Sequence, residues 1–125
     1  MLLQDFYSVD KINTINEGKF LATITLNKDH AIFKGHFPGN PVTPGVCMMQ
    51  IIKELTESIL KVSLTMVSTS NVKFMALINP EVNAQLTLDL EISENEASEI
   101  KVKNTTTFDE TVALKLSNTY KKIAS

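Results

Sequence analysis

His36 stands in the stretch Gly35-His36-Phe37-Pro38-Gly39-Asn40-Pro41-Val42-Thr43-Pro44-Gly45-Val46, directly ahead of the only long apolar segment with helical spacing. A histidine in such a loop delivers a titratable imidazole to the N-terminus of a buried helix. There, backbone N–H groups and the helix dipole favour developing negative charge. This is a layout suited to a carbonyl or thioester. Pro44 has no N–H, so Gly45 offers the first free donor of the helix, with Val46 beside it. A glycine also lets a ligand approach the backbone closely, although turn geometry alone accounts equally well for Gly39 and Gly45. Gln50 follows His36 by fourteen residues, and Glu54 lies four further on. Positions i and i+4 share a helix face about 6 Å apart along the axis. The same spacing makes Gln50, Lys53, Glu54, Glu57 and Lys61 a solvated stripe.

Other reactive residue types are sparse. His30 reads as a polar loop residue. Cys47, the single cysteine, lies in the apolar segment and reads as a small buried hydrophobe, not as a reactive thiol. Two histidines without a nearby set of acidic or cysteine ligands make a poor metal site, so neither metal nor other cofactor is expected. Met48, Met49, Met66 and Met75 suit either a flexible tunnel or an ordinary core.

These residues need a scaffold, and the rest of the chain supplies one. Its 125 residues fit a single domain, 1–125, large enough to bury a core without disulfides or metal. The apolar share of 43% and charged share of 21% are ordinary for a globular protein. A net charge of −2 argues against nucleic acid or an anionic membrane as partner. No run approaches the ~18 apolar residues of a membrane span, which leads to the expectation of a soluble, cytoplasmic protein. Extended runs are expected at 6–16 and 18–27 around an Asn16-Glu17-Gly18 turn, then at 66–78, 84–93, 98–107 and 111–120. The clearest alternation sets Leu86, Leu88, Leu90 and Ile92 against Thr87, Asp89 and Glu91. Residues 29–43 read as a loop, and a helix is expected over 44–61, with Thr43 as its cap and Pro44 at its first position. Val46, Cys47, Met48, Met49, Ile51, Ile52, Leu55, Ile59 and Leu60 cover most of that helix's circumference, so it must be buried on most sides. An α+β layout follows, with about six antiparallel strands curled around one helix.

From Gly35 to Glu54 the sequence resembles the 3-hydroxyacyl-acyl-carrier-protein dehydratases of bacterial fatty-acid synthesis. His36, Phe37, Pro38, Gly39, Pro41, Pro44, Gly45 and Val46 match that family's loop in register, and Val72-Lys73-Phe74 through Pro80 resembles its third-strand segment. The resemblance implies the hotdog fold, an antiparallel sheet around a central helix, working as a homodimer or trimer of dimers. It implies His36 as the base that removes a proton from C2, and the N–H of Gly45, helped by Val46, as the stabiliser of the thioester oxyanion.

The resemblance also exposes a departure. The family carries its catalytic acid where this chain has Gln50, and commonly a glutamine where this chain has Glu54. Glu54 is therefore a candidate displaced acid, acting directly or through water. Phe33, Phe37 and Met49 are candidates to line the substrate tunnel. Three readings follow. The chain is a lyase acting on 3-hydroxyacyl thioesters of acyl carrier protein; or it is a non-catalytic acyl-thioester binder, such as the inactive half of a heterodimer with an active paralogue; or it is an acyl thioesterase. Acyl carrier protein, which is acidic, is the expected partner, with Lys34 and Lys73 as candidate contacts.

Overall fold

The computed structural model describes residues 5–34 and 42–123. Six strands form one antiparallel sheet: β1 Tyr7–Asn16, β2 Lys19–Leu26, β3 Leu64–Phe74, β4 Gln85–Glu94, β5 Glu99–Phe108 and β6 Thr111–Lys122. Their order is β1-β2-β4-β5-β6-β3. Two helices interrupt them, a single turn α1 (Ala31–Lys34) and the long α2 (Gly45–Leu60). His36 and Phe37 lie outside the described residues, as does the side chain of Lys34.

Period-two alternation gives the sheet its inner face. Ala22, Ile24 and Leu26 of β2, Leu86, Leu88 and Leu90 of β4, Ile100 and Val102 of β5, and Leu114, Leu116 and Tyr120 of β6 are all buried. They form one core with Cys47, Met48, Ile51, Ile52 and Leu55 of α2. Burial of each large side chain contributes about 1.5–3 kcal/mol, so the helix is held by its apolar face far more than by its end signals. Ala113 and Leu114 are consecutive and both buried, because the register between β5 and β6 slips by one residue there. The Ala113 carbonyl accepts from the N–H groups of both Met75 (2.8 Å) and Ala76 (3.3 Å). That bifurcated contact ends β3 at Phe74, short of the 66–78 expected, and sends 75–78 across toward the start of α2.

Two further expectations are corrected. The segment read as loop over 29–43 contains the turn of helix α1, which follows an Asn27 carbonyl accepting from the His30 N–H (3.1 Å). Helix α2 begins at Gly45, with Pro44 as its N-cap in extended geometry, and Thr43 supplies no side-chain cap. The reason is that the Thr43 N–H donates to the Ile78 carbonyl at 2.8 Å, which ties Thr43 to the 75–78 segment and turns its hydroxyl inward. The helix ends at Leu60, with Lys61 in the left-handed conformation (φ 57°) and its N–H bonded to the Glu57 carbonyl.

The β1–β2 turn depends on Gly18, whose φ is +77° and whose missing Cβ would lie 2.8 Å from the Ile92 carbonyl oxygen. That oxygen is backbone and cannot yield cheaply, and left-handed geometry itself costs a non-glycine residue about 1–2 kcal/mol. Gly18→Ala is therefore expected to lose about 1–3 kcal/mol. Thermal or urea unfolding of the purified variant checks this, and an unchanged midpoint would contradict it. No helix among the described residues is long and apolar enough to cross a membrane.

Candidate active site

The start of α2 is built from the backbone outward. The Pro44 carbonyl accepts from the N–H groups of Cys47 (3.0 Å) and Met48 (3.2 Å), which closes the first turn. The N–H groups of Gly45 and Val46 have no backbone acceptor among the described residues. Two such donors at the positive end of a sixteen-residue helix favour an anionic oxygen placed against them. The Phe74 ring lies over Gly45, because a Cβ placed on that glycine would stand 2.8 Å from Phe74 Cζ. Residues 42–45 and 74–78 enclose a cavity of about 430 Å³. Thr43 lines it with a buried hydroxyl that makes no hydrogen bond among the described residues.

One turn further along, Gln50 and Glu54 are joined. Gln50 Nε2 donates to Glu54 Oε2 at 2.9 Å, and the Tyr7 hydroxyl donates to Glu54 Oε1 at 2.8 Å. Each carboxylate oxygen of Glu54 thus accepts from a separate side chain. Burial pushes the Tyr7 phenol well above its ordinary value, and the Glu54 carboxylate adds to that rise, so Tyr7 stays a donor throughout the physiological range. On its other side Gln50 borders a second cavity of about 220 Å³, shared with Val46, Met49, Lys53, Met66 and Tyr120. The two edge strands therefore flank the polar side of α2: β1 reaches it through Tyr7 and β3 through Met66.

The structure gathers Val46, Met49, Gln50 and Glu54 on one side of α2, and places Gly45 on the neighbouring 430 Å³ cavity. Phe33 is buried, stacked on Phe6 with ring centroids 5.1 Å apart, and borders neither cavity. His30 also packs edge-on to Phe6, and its Nδ1 accepts from the Ile32 N–H at 3.1 Å, so it organises the turn into α1. Cys47 is buried, and that burial pushes its thiol up, away from reactivity. Among the described residues no group of three His, Cys, Asp or Glu side chains is placed to hold a metal. Sequence reasoning missed Tyr7. It is 47 residues from Glu54, and nothing in the local pattern of β1 marks it.

The pattern of the ApeI-like family (ApeI dehydratase) matches residues 12–115. A 3-hydroxyacyl-[acyl-carrier-protein] dehydratase FabZ of Petrotoga mobilis is 27% identical over 116 residues, covering 86% of this chain and 80% of that enzyme. The FabZ of Lactococcus lactis is 37% identical over 46 residues, a stretch that makes up 37% of this chain and 30% of the Lactococcus protein. Among solved structures, the dehydratase heterocomplex ApeI:P from Xenorhabdus doucetiae superimposes with a TM-score of 0.65 at 20% identity, covering 94% of this chain and 97% of that one. A hypothetical thioesterase with coenzyme A from Streptococcus pneumoniae gives 0.66 at 13% identity, covering 95% and 87%. At such identities these structures establish the hotdog fold and nothing finer.

Proposed function

Because this chain belongs to the ApeI-like dehydratase family, we propose that it removes water from 3-hydroxyacyl thioesters carried on acyl carrier protein, giving the trans-2-enoyl thioester. The observation that carries this reading is the pair of N–H groups at Gly45 and Val46 that have no backbone acceptor among the described residues, one turn before Gln50 on the same helix. In the proposed reaction His36 takes a proton from C2, and charge moves onto the thioester oxygen, where those N–H groups stabilise it. The C2–C3 double bond forms as the 3-hydroxyl departs with a proton. Gln50 stands where that hydroxyl is expected. Its amide orients the hydroxyl but cannot give up a proton at useful cost, so the proton comes through water held near Glu54 or from a partner subunit.

A second subunit has a place to sit. Strand β3 is an edge of the sheet, and Val46, Met66, Phe74, Met75 and Leu77 are all exposed around it and the start of α2. An apolar surface beside an unpaired edge favours association. The Xenorhabdus neighbour is itself a heterocomplex. A second reading rests on Gln50 alone: this chain is the binding half of a heterodimer whose other subunit brings the acid.

Mass spectrometry of 3-hydroxyacyl-acyl-carrier-protein after incubation with the purified protein tests the proposal. Loss of one water is expected, with His36→Ala slower by about 10²–10⁴-fold. Release of free acid would indicate thioester hydrolysis instead. An inert wild type would leave the binding reading.

Docking of an acidic carrier is supported by the outer face of the sheet. Lys73 of β3 pairs across from Lys115 of β6, while Lys101 and Lys103 of β5 face Thr119 and Ser117 of β6. Among the described residues, none of these four lysines has a carboxylate within ion-pair distance. Like charges set directly opposite each other at Lys73 and Lys115 are destabilising, so that end of the face gains from an acidic partner, while Lys103 also lies across from Glu91 of β4. The double substitution Lys103→Glu with Lys115→Glu is expected to weaken carrier-protein binding at least tenfold at low salt. Calorimetry checks it, and unaltered affinity would exclude this face.

A further inference from the structure

The side chain that the family position leaves in place, Gln50, is not free to rotate. Its Nε2 is committed to Glu54 Oε2 at 2.9 Å, and Glu54 is in turn fixed by the Tyr7 hydroxyl on Oε1 at 2.8 Å. With both carboxylate oxygens engaged by donors, Glu54 acts as an acceptor on two sides and faces Gln50 with negative charge. That charge selects one of the two amide orientations, because the flipped form would bring the Gln50 carbonyl oxygen against a carboxylate oxygen. The selected orientation leaves the Gln50 Oε1 and its second amide hydrogen for the 220 Å³ cavity. Tyr7 can do this because it is anchored. It opens β1, its backbone pairs with Leu26 of β2, and the neighbouring Phe6 is fully buried.

We propose that Tyr7 is a positioning residue: through Glu54 it fixes the orientation of Gln50, which is the side chain that meets the 3-hydroxyl of the substrate. This rests on the dehydratase reading for the identity of the substrate. The clamp itself does not depend on it. Tyr7 lies 47 residues from Glu54, and removing its one oxygen atom takes away one of the two hydrogen bonds that hold the carboxylate.

The test is Tyr7→Phe, which keeps the ring and its packing, compared with wild type and with Tyr7→Leu. Two readouts are needed. The first is the Gln50 side-chain amide pair in ¹⁵N spectra, assigned by its disappearance in Gln50→Glu. The second is kcat and KM for dehydration of the 3-hydroxydecanoyl thioester of N-acetylcysteamine. The clamp predicts that Tyr7→Phe shifts the Gln50 amide signals while most backbone signals stay in place. It also predicts that kcat falls by about ten- to a hundredfold with KM nearly constant. Unmoved Gln50 amide signals in a folded Tyr7→Phe would overturn the clamp, whatever the activity. Shifted signals with unchanged kcat would overturn the positioning role. A wild type that does not dehydrate the thioester overturns the dehydratase reading and with it the role of Gln50 toward a hydroxyl, and the amide signals alone then decide the clamp.

Discussion

Gln50→Glu is expected to raise the rate of dehydration by about 10²–10⁴-fold, the usual contribution of a positioned general acid. The amide nitrogen it replaces lies 2.9 Å from Glu54 Oε2. Two carboxyl groups at that separation cannot both ionise, so the pair keeps one proton between them. Tyr7 already donates to the other oxygen of Glu54, which keeps Glu54 the acceptor and leaves the proton on the introduced group, beside the cavity. The sign with pH follows directly. An acid works while protonated, so the factor gained over wild type fades as pH rises, while the need for an unprotonated His36 limits both proteins at low pH. Steady-state kinetics over a pH series measures both effects. A variant that folds and binds the thioester but gains nothing would show that Gln50 does not occupy the position of the acid.

The second large effect is expected at Gly45. The Cβ of Gly45→Ala would lie 2.8 Å from Phe74 Cζ, so the ring must move off the helix start. Phe74 is 54% exposed and the clash is with the far end of its side chain, so accommodation costs little stability. The donors at Gly45 and Val46 fare worse, since the new methyl group crowds the approach to them. Removing a single oxyanion donor typically costs 10²–10³ in kcat, and a loss of about a hundredfold is expected here. The diagnostic pattern is a large fall in kcat beside a melting temperature lowered by only a few degrees. An equal loss of both would indicate a purely structural glycine.

How much of this was legible in the sequence depends on the distance over which each feature is decided. Leu86, Leu88 and Leu90 declare their face within one strand, and the apolar circumference of α2 declares its burial within one helix. The Glu17-Gly18 turn is equally local. Thr43 was misread as a cap because its backbone is committed to Ile78, a residue 35 positions away. The pairing of β3 with β6, and the slip at Ala113 that cuts β3 short, are settled only when the sheet is assembled. Around the site, the loop signature and Gly45 could be read directly, as could the interruption at Gln50. Its consequence could not, because the carboxylate of Glu54 is governed by Tyr7, whose own surroundings carry no catalytic pattern. His36 and Phe37 rest on the sequence alone.

Strand β1 is a sheet edge, and apart from the half-buried Tyr7 and Ile12 its residues are exposed. Its register with β2 is broken twice, between Val9 and Lys11 and again between Thr14 and Asn16. Such a strand opens at a free energy well below that of global unfolding, while the Leu86–Leu90 core stays closed. Because Tyr7 is the first residue of that strand, an opening that reaches its Leu26-paired end also releases Glu54. The Tyr7–Glu54–Gln50 chain and the core therefore belong to different cooperative units, and amide exchange in β1, not the melting of the whole protein, reports when that chain comes apart.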